Sequence, residues 1–266
     1  GVQMLGKLMK YEIKATARLF LPLYAALLVF SLINRFLNPF AIGESINNIN
    51  LQFTIRAISM TAYVLLLLGT LVMTVVIMIQ RFYKNLLGDE GYLMFTLPVK
   101  TWQHIISKLL ISMMWTILSF AVTASSIIII ANIEDLTGKL AELIKVVRHF
   151  IGDTAFFLIP AYILMGIAFY TVMIYAAITL GHLFQKHKII ASFGMFCVLY
   201  FIYQLCAVIA LLILAGPVIS TITPAWEPTQ HQISIFLLSF LILSGALTAV
   251  NFAVTNTVLQ KKLNLE

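Results

Sequence analysis

The chain has 266 residues, of which 61% are hydrophobic and only 10% are charged, and its mean hydropathy is +1.01. Soluble domains are about 45–50% apolar and about 25% charged, and a globule of this size has too little interior to bury the surplus. The composition therefore excludes a soluble protein and, with it, most enzyme folds. The scarcity of charge and the abundance of Leu, Ile, Phe and Val also exclude disorder, so an integral membrane protein is predicted.

Basic residues outnumber acidic ones by 17 to 10, which gives a net charge of +7. In a membrane protein such an excess usually marks cytoplasmic loops. No basic cluster is interleaved with surface aromatics, so we expect no nucleic-acid partner. Cys197 and Cys206 lie nine residues apart in one apolar stretch, where a helix would hold them too far apart to bridge. They are predicted to be small core residues without a disulfide.

Residues 4–16 are basic and amphipathic, with no cleavable signal sequence. Leu5, Leu8, Met9 and Ile13 share one face of a helix, and the basic residues occupy the other. This pattern predicts an interfacial helix in the cytoplasmic headgroup layer, with a frayed tail as the alternative.

Long runs without Lys, Arg, Asp or Glu follow one another along the rest of the chain, and about 20 helical residues cross a bilayer core. Continuous rather than alternating apolar residues exclude a β-barrel. Pro22 falls near the start of the first run, where a missing backbone donor costs least. We predict an all-α polytopic membrane protein, a single transmembrane domain over 1–266, with six spans near 17–37, 57–80, 105–131, 154–180, 189–215 and 232–257.

The basic residues of the flanks indicate the orientation. With both termini cytoplasmic, 12 Lys and Arg residues lie inside and 5 lie outside, which accounts for all 17. We therefore expect a multi-pass protein of the inner (cytoplasmic) membrane. Between spans three and four, residues 132–153 repeat apolar side chains at helical spacing, with Asn132 as a plausible N-cap. They predict an amphipathic extracytoplasmic helix.

Catalytic and metal-binding patterns are missing from the sequence. No Walker phosphate loop or H-E-x-x-H pair is present, and the five histidines are scattered. The long runs contain no Asp or Glu, which excludes an intramembrane aspartyl protease and disfavours an ion-coupled carrier. We expect no enzyme activity and no cofactor or metal bound by this chain. The polar residues of the spans are predicted to bond between helices: Thr61, Tyr63, Thr70, Thr74, Tyr170, Tyr175, Gln204, Asn251 and Asn256.

The longest cytoplasmic loop, 81–104, is unusually apolar for a solvated segment. Gly88 and Gly91 bracket the acidic pair Asp89 and Glu90, and Pro98 imposes a turn. Exposed apolar surface of this kind indicates a docking site for a partner. The alternative is a hairpin packed under the protein's own helices.

This loop carries a resemblance to a known family. A basic amphipathic N-terminal helix, six spans and a loop with an acid, a glycine, a hydrophobic stretch, Leu-Pro-Val and a downstream lysine are similar to the permease subunits of ABC transporters of the type-2 exporter class. The matching residues, with their two neighbours, are Asp89, Glu90, Gly91, Tyr92, Leu97, Pro98, Val99 and Lys108. Family members also carry a re-entrant element between spans five and six, for which 216–226, interrupted by prolines, is the candidate.

The resemblance implies that the loop contains a coupling helix resting on a separate ATP-binding subunit, which uses ATP and Mg²⁺. It further implies a second permease chain, identical or different, two ATPase subunits and surrounding membrane lipid. The expected function is export of an amphipathic or apolar substrate such as a peptide, lipid or drug. Two other functions stay open: a secondary carrier or channel-like protein that works without nucleotide, and a non-transporting assembly or sensor subunit.

Overall fold

The computed structural model describes residues 2–37, 51–88, 100–131, 136–184, 186–219 and 229–261. Over these residues the chain forms seven helices and no strand: α1 Val2–Leu37, α2 Leu51–Leu86, α3 Thr101–Ala131, α4 Leu136–Ile151, α5 Asp153–Gly181, α6 Lys188–Ile219 and α7 Gln230–Lys261. All except α4 contain a stretch long and apolar enough to cross a membrane. The prediction of an all-α polytopic membrane protein with six spans is confirmed.

Helix α4 is the short amphipathic helix between the third and fourth spans. None of its 16 residues is buried, although apolar side chains recur along one face. Gly152 separates α4 from α5 with a φ of +85°, a conformation that side-chain-bearing residues rarely adopt. This turn also brings the His149 carbonyl within 2.8 Å of the Gln230 amide, at the start of α7.

Two compact units divide the chain, where the sequence showed no boundary. Unit 1 comprises Gly1–Arg81 and Ile106–Leu136, and unit 2 comprises Phe82–Ile105 and Thr137–Glu266. Helices α2 and α3 each contribute to both units. The end of α2 and the start of α3 flank residues 89–99 of the predicted coupling loop, the coupling segment, and both helix ends belong to unit 2.

Unit 1 is a three-helix assembly around aromatic side chains. Phe20 stacks on Trp115 with ring centroids 4.4 Å apart, and Tyr24 and Ile77 complete the buried cluster with Ile111. Residues further along α1 contact residues further along α3, so these two helices run in the same direction. Residues further along α2 contact residues nearer the start of α3, so α2 is antiparallel to both. This alternation is what three consecutive membrane spans require.

Unit 2 packs α5 against α6 and α7. The carboxyl-terminal third of α5 is the most buried stretch of this unit, with Val172, Met173, Tyr175 and Ala176 all at 0% exposure. Gly181 lies against Ser192 so closely that a Cβ atom at position 181 would overlap the Ser192 backbone. Small residues therefore allow α5 and α6 to approach each other, as is common between helices in membranes.

Several predicted boundaries differ from the observed ones. Helix α1 continues without a break through the junction predicted near residue 17, and Met9 and Ile13 pack against the aromatic cluster of unit 1. Pro22 consequently lies well inside a helix rather than near its start. Helix α6 continues through Pro217 to Ile219, so the first residues of the proposed re-entrant element are helical. Residues 220–226 of that element, and the predicted cap Asn132, lie outside the described residues.

The cysteine prediction is only half right. Both cysteines are free, as expected. Cys197 is exposed and Cys206 is only partly buried, so neither is a core residue. Both lie on α6, whose most apolar 18-residue stretch contains no buried residue. An apolar run in a membrane helix therefore does not identify the face that packs against protein, because lipid and protein interior are equally apolar.

Candidate functional site

The predicted coupling loop is only partly within the described chain. Its Asp89, Glu90, Gly91, Tyr92, Leu97, Pro98 and Val99 lie outside the described residues. The two flanks are described, and both are helical: α2 extends to Leu86 and α3 begins at Thr101. The segment that joins the two helices is therefore shorter than the predicted loop 81–104, because each helix takes up residues that the sequence assigned to the loop.

Helix α2 ends in a defined turn immediately before the predicted coupling residues. The backbone N–H groups of Leu87 and Gly88 both donate to the Tyr83 carbonyl, each at 2.9 Å. A Cβ atom at position 88 would lie 3.0 Å from the Lys84 carbonyl oxygen, so glycine suits this close approach. The turn satisfies a backbone carbonyl that would otherwise lack a partner at the helix end.

The last turn of α2 is firmly packed in unit 2. Phe82 and Leu86 have 0% exposure, and the Phe82 ring stacks on Tyr175 of α5 with centroids 4.0 Å apart and planes 8° apart. Tyr175 is itself fully buried. Large aromatic side chains stabilise packing most when both rings of a stacked pair are buried. A displacement of this end of α2 must therefore move α5 or break the stack.

Tyr83 makes a second contact between α2 and the end of α5. Its ring meets the His182 imidazole edge-on, with centroids 5.1 Å apart. Burial has the largest influence on the pKa of His182 and lowers it below its usual 6.5; the Ile178 carbonyl opposes this shift, and the nearby Lys188 ammonium adds a smaller lowering. At neutral pH the imidazole is therefore uncharged, which suits a group packed against an aromatic ring.

Helix α3 begins with half of a capping box. The Lys100 backbone N–H donates to Oε1 of Gln103 at 3.2 Å, which is the contact that a glutamine at the third helical position can provide. One residue further on, His104 is 1% exposed and Ile105 is 0% exposed. The start of α3 is thus fixed by a cap and by burial within unit 2.

Lys108 is the one predicted coupling residue that the structure describes, and it belongs to unit 1. Its Nζ atom lies 2.8 Å from Oε1 of Glu12, and the two side chains are 4% and 10% exposed. The sequence singled out Lys108 but missed Glu12, because a lone acid in a basic amphipathic segment resembles a solvated one. The pair joins α1 to α3 one turn beyond the flank of the coupling segment.

Further side-chain hydrogen bonds follow the ion pair through unit 1. The indole N–H of Trp115 donates to the Thr16 hydroxyl at 2.8 Å. The Ser119 hydroxyl lies 2.7 Å from the Tyr24 hydroxyl and 2.7 Å from the Thr74 hydroxyl, so it joins all three helices. Because a hydroxyl in an apolar interior must find a partner, these bonds fix the relative register of α1, α2 and α3.

The prediction that span polar residues bond between helices holds for some of them. Thr74 bonds to Ser119, Tyr63 lies 2.9 Å from the Ser126 hydroxyl, and Asn251 accepts from the Tyr203 hydroxyl. Thr61 and Thr70 instead donate to carbonyls one turn earlier in their own helix. Ser119 and Ser126 could not be identified as partners from the sequence, because serine is common in membrane helices for its small size alone.

The described part of the predicted coupling loop consists of its two helical flanks, both packed in unit 2. Among the described residues no group of three or more His, Cys, Asp or Glu could hold a metal ion. No protein-family model, curated protein sequence or solved structure matches this chain.

Proposed function

We propose that this chain is the membrane-embedded permease subunit of an ATP-driven ABC exporter of the type-2 class. In this proposal it pairs with a second permease chain and two ATP-binding subunits and exports an amphipathic or apolar substrate. The chain itself is not an enzyme, binds no cofactor and lies in the cytoplasmic membrane with both termini inside. ATP and Mg²⁺ are used by the partner subunit.

The burial of the helix ends beside the coupling segment carries the proposal. Phe82 and Leu86 on one side, and Ile105 on the other, have no exposed surface. A force applied to residues 89–99 therefore reaches membrane helices without being absorbed by loose flanks. If the flanks were mobile, the same force would move only the flanks. The ATP-binding subunit could then not favour one conformation of the membrane helices over another.

Exposed apolar surface on unit 2 supports the expectation of a second permease chain. The most apolar 18-residue stretches of α6 and α7 contain no buried residue. Phe193, Phe201 and Ile213 of α6 are 65–70% exposed. In the proposed complex, the second permease chain and lipid cover these helices.

Affinity purification from native membranes tests the composition of the complex. The tagged full-length chain should retain a separate protein with Walker motifs, together with any bound small molecule. That molecule is then the substrate for transport in vesicles, where the complex should move it only with ATP and Mg²⁺. The proposal fails if no ATPase is retained, or if the chain alone drives flux from an ion gradient.

Substitutions in the coupling segment test the mechanism. Glu90→Lys and Pro98→Gly should each abolish ATP-driven transport while leaving membrane insertion intact. Lys145→Glu is the matched control, since Lys145 is an exposed basic residue of α4 and its reversal should leave transport unchanged. Full transport by both coupling variants would show that this segment does not couple ATP hydrolysis to export.

The buried pair Glu12–Lys108 is the one observation that favours an ion-coupled carrier as the second candidate. A titratable carboxyl within a span is the usual means of linking a proton to a conformational change. Glu12→Gln removes the carboxylate charge and keeps the shape of the side chain. In the proposed exporter, ATP-driven transport by this variant should keep the pH profile of the unaltered complex. In a carrier, gradient-driven transport would be lost.

A further inference from the structure

Unit 2 contains a cavity of about 380 Å³ between α5, α6 and α7. Its volume falls within the range of roughly 300–1,000 Å³ that is typical of small-molecule sites. Tyr170 and Gln204, which line it, lie more than ten residues from either end of their helices. The cavity is therefore at membrane depth and not in a surface loop.

Aromatic rings and uncharged polar groups dominate the lining. Four tyrosines and two phenylalanines contribute, and no Lys, Arg, Asp, Glu or His is among the lining residues. The Tyr203 hydroxyl bonds to Asn251. The hydroxyls of Tyr162, Tyr170 and Tyr200 and the Gln204 amide make no hydrogen bond within the described chain. Tyr162, Tyr170 and Tyr200 are 42–53% exposed, so their hydroxyls are open to a ligand in the cavity, which at membrane depth would supply the hydrogen-bond partner that lipid chains cannot.

The charge of the lining limits the ligand. An anion would meet no cation there, and a metal ion would meet no carboxylate, thiol or imidazole among the lining residues. Rings and apolar side chains favour a hydrocarbon or aromatic body, while the phenols and the amide favour a hydroxyl or amide group at one end. We infer that this cavity is the binding site for an uncharged amphiphile of drug size with an aromatic body and a hydrogen-bonding end.

This inference deepens the proposed function, on which it rests, by assigning the substrate class and its place in the chain. Gly166 provides the means to test it. Gly166 lines the cavity, and a Cβ atom at this position would meet nothing within 4 Å. Gly166→Leu should therefore fill the space without displacing a neighbour. Gly194 has equally open surroundings and does not line the cavity, so Gly194→Leu is the matched control.

Photolabelling of the full complex in lipid nanodiscs, without ATP, tests the site. Three probes share one benzophenone and differ in its para substituent, which is neutral, anionic or cationic: 4-benzoylbenzyl alcohol, 4-benzoylbenzoate and (4-benzoylbenzyl)trimethylammonium. The neutral alcohol should label peptides of α5–α7 around the cavity, and neither charged probe should compete with it. Gly166→Leu should abolish this labelling, and Gly194→Leu should preserve it. Gln204→Leu should weaken binding of the alcohol about three- to tenfold, the effect of one lost hydrogen bond.

Each other result overturns the inference. Equal labelling of the Gly166→Leu variant would show that the probe enters from lipid without using the cavity. Stronger labelling by the trimethylammonium probe would assign the site to organic cations. Absence of labelling in the complex would show that a second permease chain or a lipid covers the cavity. Because no arm requires nucleotide, failure here leaves the ATPase retention and transport tests of the proposed function unaffected.

Discussion

Unit 1 joins its three helices through a buried ion pair and hydrogen bonds spread along their length, beside an aromatic cluster, whereas unit 2 combines the Tyr203–Asn251 hydrogen bond with ring stacking and a close glycine contact. In unit 1 the polar contacts run from Glu12–Lys108 through Thr16–Trp115 to the Ser119 hydroxyl. In unit 2 helices approach closely at Gly181, against Ser192, and at the Phe82–Tyr175 stack. Both are recognised ways of holding helices together in lipid, which supplies no hydrophobic driving force between them.

The difference has a mechanical consequence. A hydrogen bond between two side chains fixes one register, because the partners must meet at bonding distance. A close contact between small residues instead depends on the absence of side-chain atoms at the point of approach. We therefore predict that unit 1 depends on its polar contacts for its register, while unit 2, which holds both flanks of the coupling segment and the cavity, depends on close packing. Three substitutions test this contrast.

Removal of the buried carboxylate should have the largest effect, and should act on unit 1. Glu12→Ala leaves the Lys108 ammonium buried without its carboxylate partner, and breaking such a pair costs about 3–5 kcal/mol. Hydrogen exchange followed by mass spectrometry should show faster exchange in peptides of α1 and α3. Peptides of α6 and α7 serve as the internal control and should exchange as before. A uniform change across both units would contradict the division into separately stabilised units.

A methyl group at position 181 should have the next largest effect, and should act on unit 2. The Cβ atom of Gly181→Ala would overlap the Ser192 backbone, and overpacking of this kind costs about 1–3 kcal/mol. We expect a lower melting temperature of the purified protein and faster exchange in α5 and α6, with α1 unaffected. Gly194→Ala, where a Cβ atom meets nothing within 4 Å, should keep the melting temperature. Equal stability of both variants would show that the helices are not held by close approach at Gly181.

The sequence predicted the helices well and their partners poorly. Six apolar runs gave six helices, because length and continuous hydrophobicity are properties of each segment alone. The same apolar character concealed which side of each helix packs inward, since a lipid-facing phenylalanine and a buried one look alike. Cys197 shows this failure: it lies in an apolar run and is nevertheless exposed.

For the candidate site, the sequence located the segment but not the contacts that hold it. Gln103, three residues after Lys100, provides half of a capping box, but a lysine at the N-cap position does not match the Ser or Thr of the sequence signature, so the start of α3 could not be placed from it. The pairing of Glu12 with Lys108 spans 96 residues, and the stack of Phe82 on Tyr175 joins two distant helices. No local pattern carries such information, because it depends on which helices become neighbours.

Protonation of His182 should have the smallest effect of the three changes. It gives a pH-dependent test of the packing of unit 2. Its pKa is lowered in the folded protein, chiefly by burial, while in the unfolded chain it titrates near 6.5. Between these two values the unfolded state binds a proton that the folded state does not, so stability falls as the pH falls below about 6.5. Above that value both states are neutral and the effect vanishes. Unit 2 should therefore loosen on acidification.

Exchange rates measured at several pH values between 7.5 and 5, and corrected for the intrinsic pH dependence of exchange, reveal this difference. The carboxyl-terminal part of α5 should show a loss of protection that His182→Phe removes, because phenylalanine keeps an aromatic contact with Tyr83 and cannot be protonated. Lys188→Gln offers a finer comparison: the ammonium contributes to the lowered pKa of His182, so its removal brings the folded-state pKa closer to 6.5 and should reduce the loss of protection on acidification. An identical pH dependence in all three proteins would assign the acid sensitivity to another group. It would also leave the packing of unit 2 independent of the imidazole that closes the end of α5 against α2.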